Sequence, residues 1–131
     1  MERHTRQRQA VLDAIDHAGR ALTPAEILEL AQASVASLNL STIYRHLNAL
    51  QEDARIHKVM LPGQAARYEA ACADEGVDAA HHHHHHFHCH RCDRVYALHG
   101  CPGSLQELAP KGFVVQAHEI TLRGLCAGCA K

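Results

Sequence analysis

The chain has 131 residues with a formal net charge of −1 when its histidines are neutral, no tryptophan and only five tyrosines and phenylalanines together. Such a balance argues against a surface that coats nucleic acid broadly, and so few aromatic residues argue against stacking on single-stranded bases. No segment approaches the roughly 20 apolar residues a membrane helix needs, and MERHTRQRQA at the start has no apolar signal region, so the reducing cytoplasm is the expected compartment.

In chain order, Thr5 to Ala18 reads as a first helix, with Thr5 as N-cap, Val11, Ile15 and Ala18 on one face and Gly19 as its stop. Arg3, Arg6 and Arg8 form a local basic patch near its start, a footprint suited to a phosphate backbone. A second helix opens with Thr23 as N-cap and Pro24 at its first position, runs through Ile27, Leu28 and Ala31, and fades at 34–37. The third starts at Leu40-Ser41-Thr42; Ile43, Leu47 and Leu50 form its buried stripe and leave Tyr44, Arg45, His46 and Asn48 on other faces. Ile56 to Leu61 and Ala66 to Ala70 are strand-like runs either side of the Pro62-Gly63 turn signal. Three short helices followed by a two-stranded wing predict a winged helix-turn-helix over residues 1–70.

Residues 71–80, ACADEGVDAA, lack apolar periodicity and read as a linker before a second domain at 81–131. There, His84 to Cys89 and Arg94 to Leu98 are candidate strands, Ser104 to Ala109 a short helix and Phe113 to Leu122 a longer strand. The expected class is α+β, with a winged helix followed by a small α/β module. Domains of about 70 and 50 residues have thin cores and call for a staple.

His81 to Cys92, HHHHHHFHCHRC, packs eight histidines and two cysteines into twelve residues. The run is internal and passes directly into a CxxC, which distinguishes it from a purification tag. Cys89-x-x-Cys92 and Cys126-x-x-Cys129 supply four thiolates in two knuckles, a set suited to tetrahedral structural zinc with no position left open for catalysis. The 33 residues between the knuckles leave room for strand, helix and strand. No HExxH is present, so a zinc hydrolase lacks its motif, and a metal store would not need a helix-turn-helix.

Together, Ser41-Thr42-Ile43-Tyr44-Arg45-x-Leu47, Arg67-Tyr68-Glu69, the histidine run before a CxxC, and Gly124-Leu125-Cys126-x-x-Cys129 resemble the ferric uptake regulator superfamily along essentially the whole chain. The resemblance implies a dimeric, metal-activated transcriptional repressor of double-stranded operator DNA, with a C-terminal dimerisation domain and no enzymatic activity, small-molecule substrate or membrane partner. By position, it implies His84 and His86 as ligands of a regulatory metal, with Glu69 as a wing carboxylate. His57 and Cys72 match positions used in the zinc uptake branch, whereas Arg20-Ala21-Leu22 lacks the histidine frequent in iron-sensing members. Thiolate with imidazole suits zinc, so a zinc sensor of His57, Glu69 or Cys72, His84 and His86 is the favoured reading, with iron, manganese or peroxide sensing as alternatives.

An auxiliary metal site is implied at His83, His85 and His118. Its usual carboxylates fall at Ser104 and Ala97, leaving His99 or Cys101 to supply a donor, while His81 and His82 are candidates for excess. On the third helix, Tyr44 and Arg45 are the expected base and phosphate contacts, with Ser41 and Thr42 capping the helix and touching the DNA backbone. Metal would act by restricting the separation of the two winged helices of a dimer to one that matches successive major grooves.

Overall fold

The computed structural model describes residues 2–71 and 85–131. The chain divides into two compact units, Met1–Asp78 and Ala79–Lys131. His81, His82, His83, His84 and Cys72 lie outside the described residues.

In the first unit, α1 (Glu2–Ala18), α2 (Pro24–Ala31) and α3 (Leu40–Glu52) precede β1 (Ile56–Val59) and β2 (Arg67–Ala70). α1 begins at Glu2, so Thr5 is an interior residue rather than the cap; Gly19, at φ 64°, reverses the chain after Ala18. For α2 the expected start holds. Thr23 Oγ1 accepts the Glu26 N–H at 3.2 Å, and Glu26 Oε1 accepts the Thr23 N–H at 3.0 Å, a reciprocal capping box. Glu26 also meets Arg20 at 2.7 Å and buried Arg67 at 3.8 Å, tying α2 to its lead-in and to the wing. Burial pulls the Glu26 carboxyl upward, but the Thr23 N–H and Arg20 outweigh it and hold it below its ordinary range. The stability this supplies is present at neutral pH and is lost as falling pH protonates the carboxylate.

The cap of α3 is Asn39, whose Oδ1 accepts the Thr42 N–H at 2.9 Å, not Ser41 or Thr42. The helix starts one residue earlier than the Ser-Thr pair suggests because Asn is an equally good cap and leaves Leu40 at N1. Asn39→Ala should lower thermal stability by about 1 kcal/mol without changing metal content.

Ile43, Leu47 and Leu50 are buried as expected, together with His46, which the sequence reading placed on an outer face. Positions 43, 46, 47 and 50 form one wide helical stripe, and His46 qualifies because α1 supplies it a partner: its Nε2 lies 3.3 Å from Gln7 Oε1. The His4 ring sits 4.7 Å away. Burial, then the positive charges of His4, Arg45 and Arg8, hold His46 below its ordinary pKa, so the ring is neutral at pH 7 and donates to Gln7. Val11, Ile15, Leu22, Ile27, Leu38 and Ile56 complete the core around α3.

β1 and β2 pair antiparallel, with His57 opposite Glu69. Leu22 adds a bridge to Tyr68, its N–H and C=O each bonded at 2.8 Å, so the lead-in to α2 extends the wing sheet. The result is the expected winged helix.

In the second unit, β3 (His85–Cys89) is the central strand of a sheet ordered β4-β3-β5, with β4 (Val95–Leu98) antiparallel and β5 (Thr121–Gly124) parallel to it. The expected helix at Ser104–Ala109 is only a 3₁₀ turn, Gln106–Leu108; Leu105 at φ 55° and Pro110 leave no room for a longer one. The expected strand Phe113–Leu122 contracts to Thr121–Gly124. Both edges of β3 are taken by β4 and β5, and residues 113–120 belong to no strand ladder of this chain, whatever their β propensity. Gln106 holds the start of that segment, its Nε2 donating to Phe113 O at 2.7 Å and its Oε1 accepting the Val115 N–H at 2.8 Å.

Candidate metal centres and nucleic-acid face

The parallel register of β3 and β5 explains why the cysteine knuckles meet. Cys89 is the register partner of Gly124, two residues before Cys126, so both knuckles leave the sheet at the same end. The Phe87 ring packs over Gly124, and a Cβ there would stand 3.4 Å from it, in ordinary van der Waals contact. Arg91 donates to Cys129 O at 3.2 Å and braces one knuckle against the other. The Asp93 N–H closes the first turn on Cys89 O at 2.9 Å; Cys129 and Ala130 N–H groups close the second on Cys126 O at 3.0 and 2.8 Å.

The four sulfurs lie within 4.8 Å of one another, and Cys92 Sγ and Cys126 Sγ are 3.8 Å apart. A tetrahedron with metal–sulfur bonds of about 2.3 Å has edges of about 3.8 Å, whereas a disulfide needs about 2.05 Å. All five described cysteines are free thiols. The N–H groups of Cys92 and Cys126 hold the Cys89 thiol down to about 5, while hydrogen bonding to Cys126 and burial push Cys129 up to about 12. Four thiols so close share protons because they cannot all ionise unaided. A dication supplies the missing charge, and zinc fits both donor type and spacing.

A second cluster lies at the other end of the same strands. The side chains of His85, Cys101 and His118 offer ligand atoms within 4.8 Å of one another. Antiparallel β4 returns the chain to His85, opposite Leu98, and Cys101 follows three residues later; the segment leading into parallel β5 brings His118, three residues before Thr121, alongside. The His85 and His118 rings stack at 4.9 Å, and Cys101 Sγ is 3.3 Å from His118 Nε2. The expected pairing of His85 with His118 therefore appears. His99 is not among the gathered donors, because β4 ends at Leu98 and Cys101, not its neighbour two residues earlier, is turned to the cluster. Ser104 Oγ instead lies 3.4 Å from the Gln106 N–H. The signal for Cys101 in the sequence was only that a soft donor stood near the missing carboxylate.

Of the expected sensor residues, His57 and Glu69 face each other across the wing, with Glu69 buried and His57 half-buried. His86 lies on β3, half-buried, between its register partners Ala97 and Thr121.

On α3, Tyr44 and Arg45 are exposed, as is Ser41, while Thr42 is half-buried. Arg3 is exposed on α1. Arg8 forms an ion pair with Asp53 just past α3, and both side chains remain partly exposed. Its partner is 45 residues away in sequence, which the local basic pattern could not reveal.

The ferric uptake regulator family model matches residues 2–123. The zinc uptake regulation protein of Escherichia coli K12 is 29% identical, covering 98% of this chain and 74% of that protein. The transcriptional regulator FurA of Mycobacterium tuberculosis H37Rv is 28% identical, covering 98% of this chain and 83% of its own. Among solved structures, a zinc uptake regulator complexed with zinc and DNA superposes with a TM-score of 0.61 at 27% identity, over 95% of this chain and 81% of that one. The winged helix, the paired cysteine knuckles and this match over nearly the whole chain place the protein in the ferric uptake regulator family of metal-responsive transcriptional regulators; it is not an enzyme.

Proposed function

We propose that the protein is a zinc-responsive repressor that binds double-stranded operator DNA as a homodimer when a regulatory ion is held by His57, Glu69 or Cys72, His84 and His86. The observation that carries this reading is the His57–Glu69 register pair on the wing, an imidazole and a buried carboxylate on one sheet face in the strand pair that leads into 71–80. A carboxylate in that position is stabilised by a cation, and imidazole with thiolate from Cys72 favours zinc over oxygen-preferring ions. The likeness to a zinc uptake regulation protein and to a zinc- and DNA-bound relative supports the choice of metal.

The four-cysteine cluster holds a structural zinc in this reading, and α3 reads the major groove through Tyr44 and Arg45. Arg45 makes a charge-assisted contact to guanine or phosphate, Tyr44 meets phosphate or a thymine methyl, and Ser41, Thr42 and Arg3 touch the backbone. Arg45→Ala should weaken binding to a selected duplex by about 1–3 kcal/mol, read by fluorescence anisotropy, with metal content unchanged. A 26% identity to the ferric uptake regulation protein of Campylobacter jejuni, over 97% of this chain, keeps iron as the second reading.

The test is selection from a random-sequence duplex pool by protein whose four-cysteine site is filled, with and without added zinc. Enrichment of an inverted repeat only with zinc supports the proposal. Enrichment with iron but not zinc favours the second reading, and no enrichment with either refutes both.

A further inference from the structure

We infer that His88 and Asp93 clasp the first cysteine knuckle from either side, fixing where Cys92 stands and thereby how tightly the four-cysteine site holds its ion. This rests on the reading of that cluster as a metal site and involves neither the sensor residues nor DNA binding.

The pair brackets the motif. His88 immediately precedes Cys89 and Asp93 immediately follows Cys92, and the His88 Nε2 N–H donates to Asp93 Oδ1 at 2.7 Å. That side-chain bond closes the loop that carries both thiols of this knuckle. The two thiols need it unequally. Cys89 is buried and fixed by β3, whereas Cys92 is exposed on the turn beyond the strand. The Asp93 N–H to Cys89 O, at 2.9 Å, and the Cys89 N–H to Arg94 O, at 3.0 Å, shape the backbone of the turn. His88 adds a tie from the buried strand to the residue next to Cys92. Cys92 Sγ stands 3.8 Å from Cys126 Sγ, an edge of the ligand tetrahedron that a displacement of about 0.5 Å or more would spoil.

Both residues are unfavourable where they stand. His88 is only 6% exposed on the central strand, between register partners Val95 and Arg123, and its Nδ1 is buried with no hydrogen-bond partner among the described residues. On packing grounds alone an apolar side chain suits that position better. Asp93 stands at φ 64°, a left-handed conformation that glycine adopts without the steric cost an aspartate carries. The bond between them is what the two unfavourable choices have in common. Neither residue belongs to the gathered sulfur set, so both are positioning residues, of the kind that hold a metal ligand in place from behind.

The experiment loads the full chain with cobalt(II), whose visible bands in a four-sulfur field report this site apart from any with nitrogen ligands, and measures affinity by competition with a chelator. Packing and backbone conformation alone predict that His88→Leu and Asp93→Gly leave the affinity unchanged or raise it. The clasp predicts the reverse, a loss of about 10- to 100-fold for each. The double variant should be no weaker than the weaker single one, because both remove the same bond. Asp93→Asn keeps an acceptor for Nε2 and should hold the wild-type value. Far-ultraviolet circular dichroism of the cobalt-saturated variants should match wild type. The Asp93 side chain is 67% exposed, so Asp93→Gly decides the matter even if His88→Leu disturbs the sheet. Affinity unchanged or raised in Asp93→Gly overturns the inference, as do additive losses in the double variant. A wild-type chain that develops no four-sulfur bands at saturating cobalt overturns the metal-site reading itself, and the clasp with it.

Discussion

Cys126→Ala is expected to unfold the unit Ala79–Lys131 while Met1–Asp78 keeps its helices. Among the described residues of the second unit, the only buried hydrophobic ones are Cys89 and Val95, whereas the first unit buries a continuous core from Ala10 to Tyr68. So little apolar burial cannot offset the ordering of some fifty residues, and a structural zinc of this kind contributes about 10 kcal/mol or more to the folded state. Loss of one thiolate leaves an incomplete set, and Cys92→Ala should act alike. Zinc content, circular dichroism and proteolysis of the second unit check the result. A variant that stays folded with unchanged protease resistance would show that the sheet holds without its clip.

His86→Ala is expected to do the opposite, leaving both units folded and the structural zinc bound while removing about two orders of magnitude from zinc-dependent DNA affinity. The size follows from the population argument: if about 1% of the dimer is binding-competent without the regulatory ion and nearly all of it with the ion, apparent affinity changes about 100-fold. His57→Ala should behave similarly. Equal loss of folding from His86→Ala and Cys92→Ala would contradict the separation of regulatory from structural ligands, although both residues sit within one short stretch.

The first unit was legible because its signals are local. Thr23 and Pro24 start α2, Gly19 ends α1, Pro62-Gly63 turns the wing, and the 43-47-50 stripe marks the buried face of α3. Its errors arose where a distant partner changed a residue's role. Gln7 makes a buried position acceptable for His46. In the second unit, β propensity at Phe113–Leu122 could not say where a partner strand begins, because pairing with β3 starts only at Thr121. The two CxxC motifs were readable from spacing, while the choice of Cys101 over His99 depended on where β4 ends. His83, His84 and Cys72, which complete the expected ligand sets, lie outside the described residues.

The central claim is that zinc beyond the structural ion controls DNA binding. Its most direct test is the affinity of the dimer for a duplex recovered by selection, measured with the four-cysteine site filled and free zinc either buffered very low or replete. An affinity gain of about 100-fold is expected on going to replete zinc, absent in His86→Ala. Equal affinity in the two conditions would contradict it.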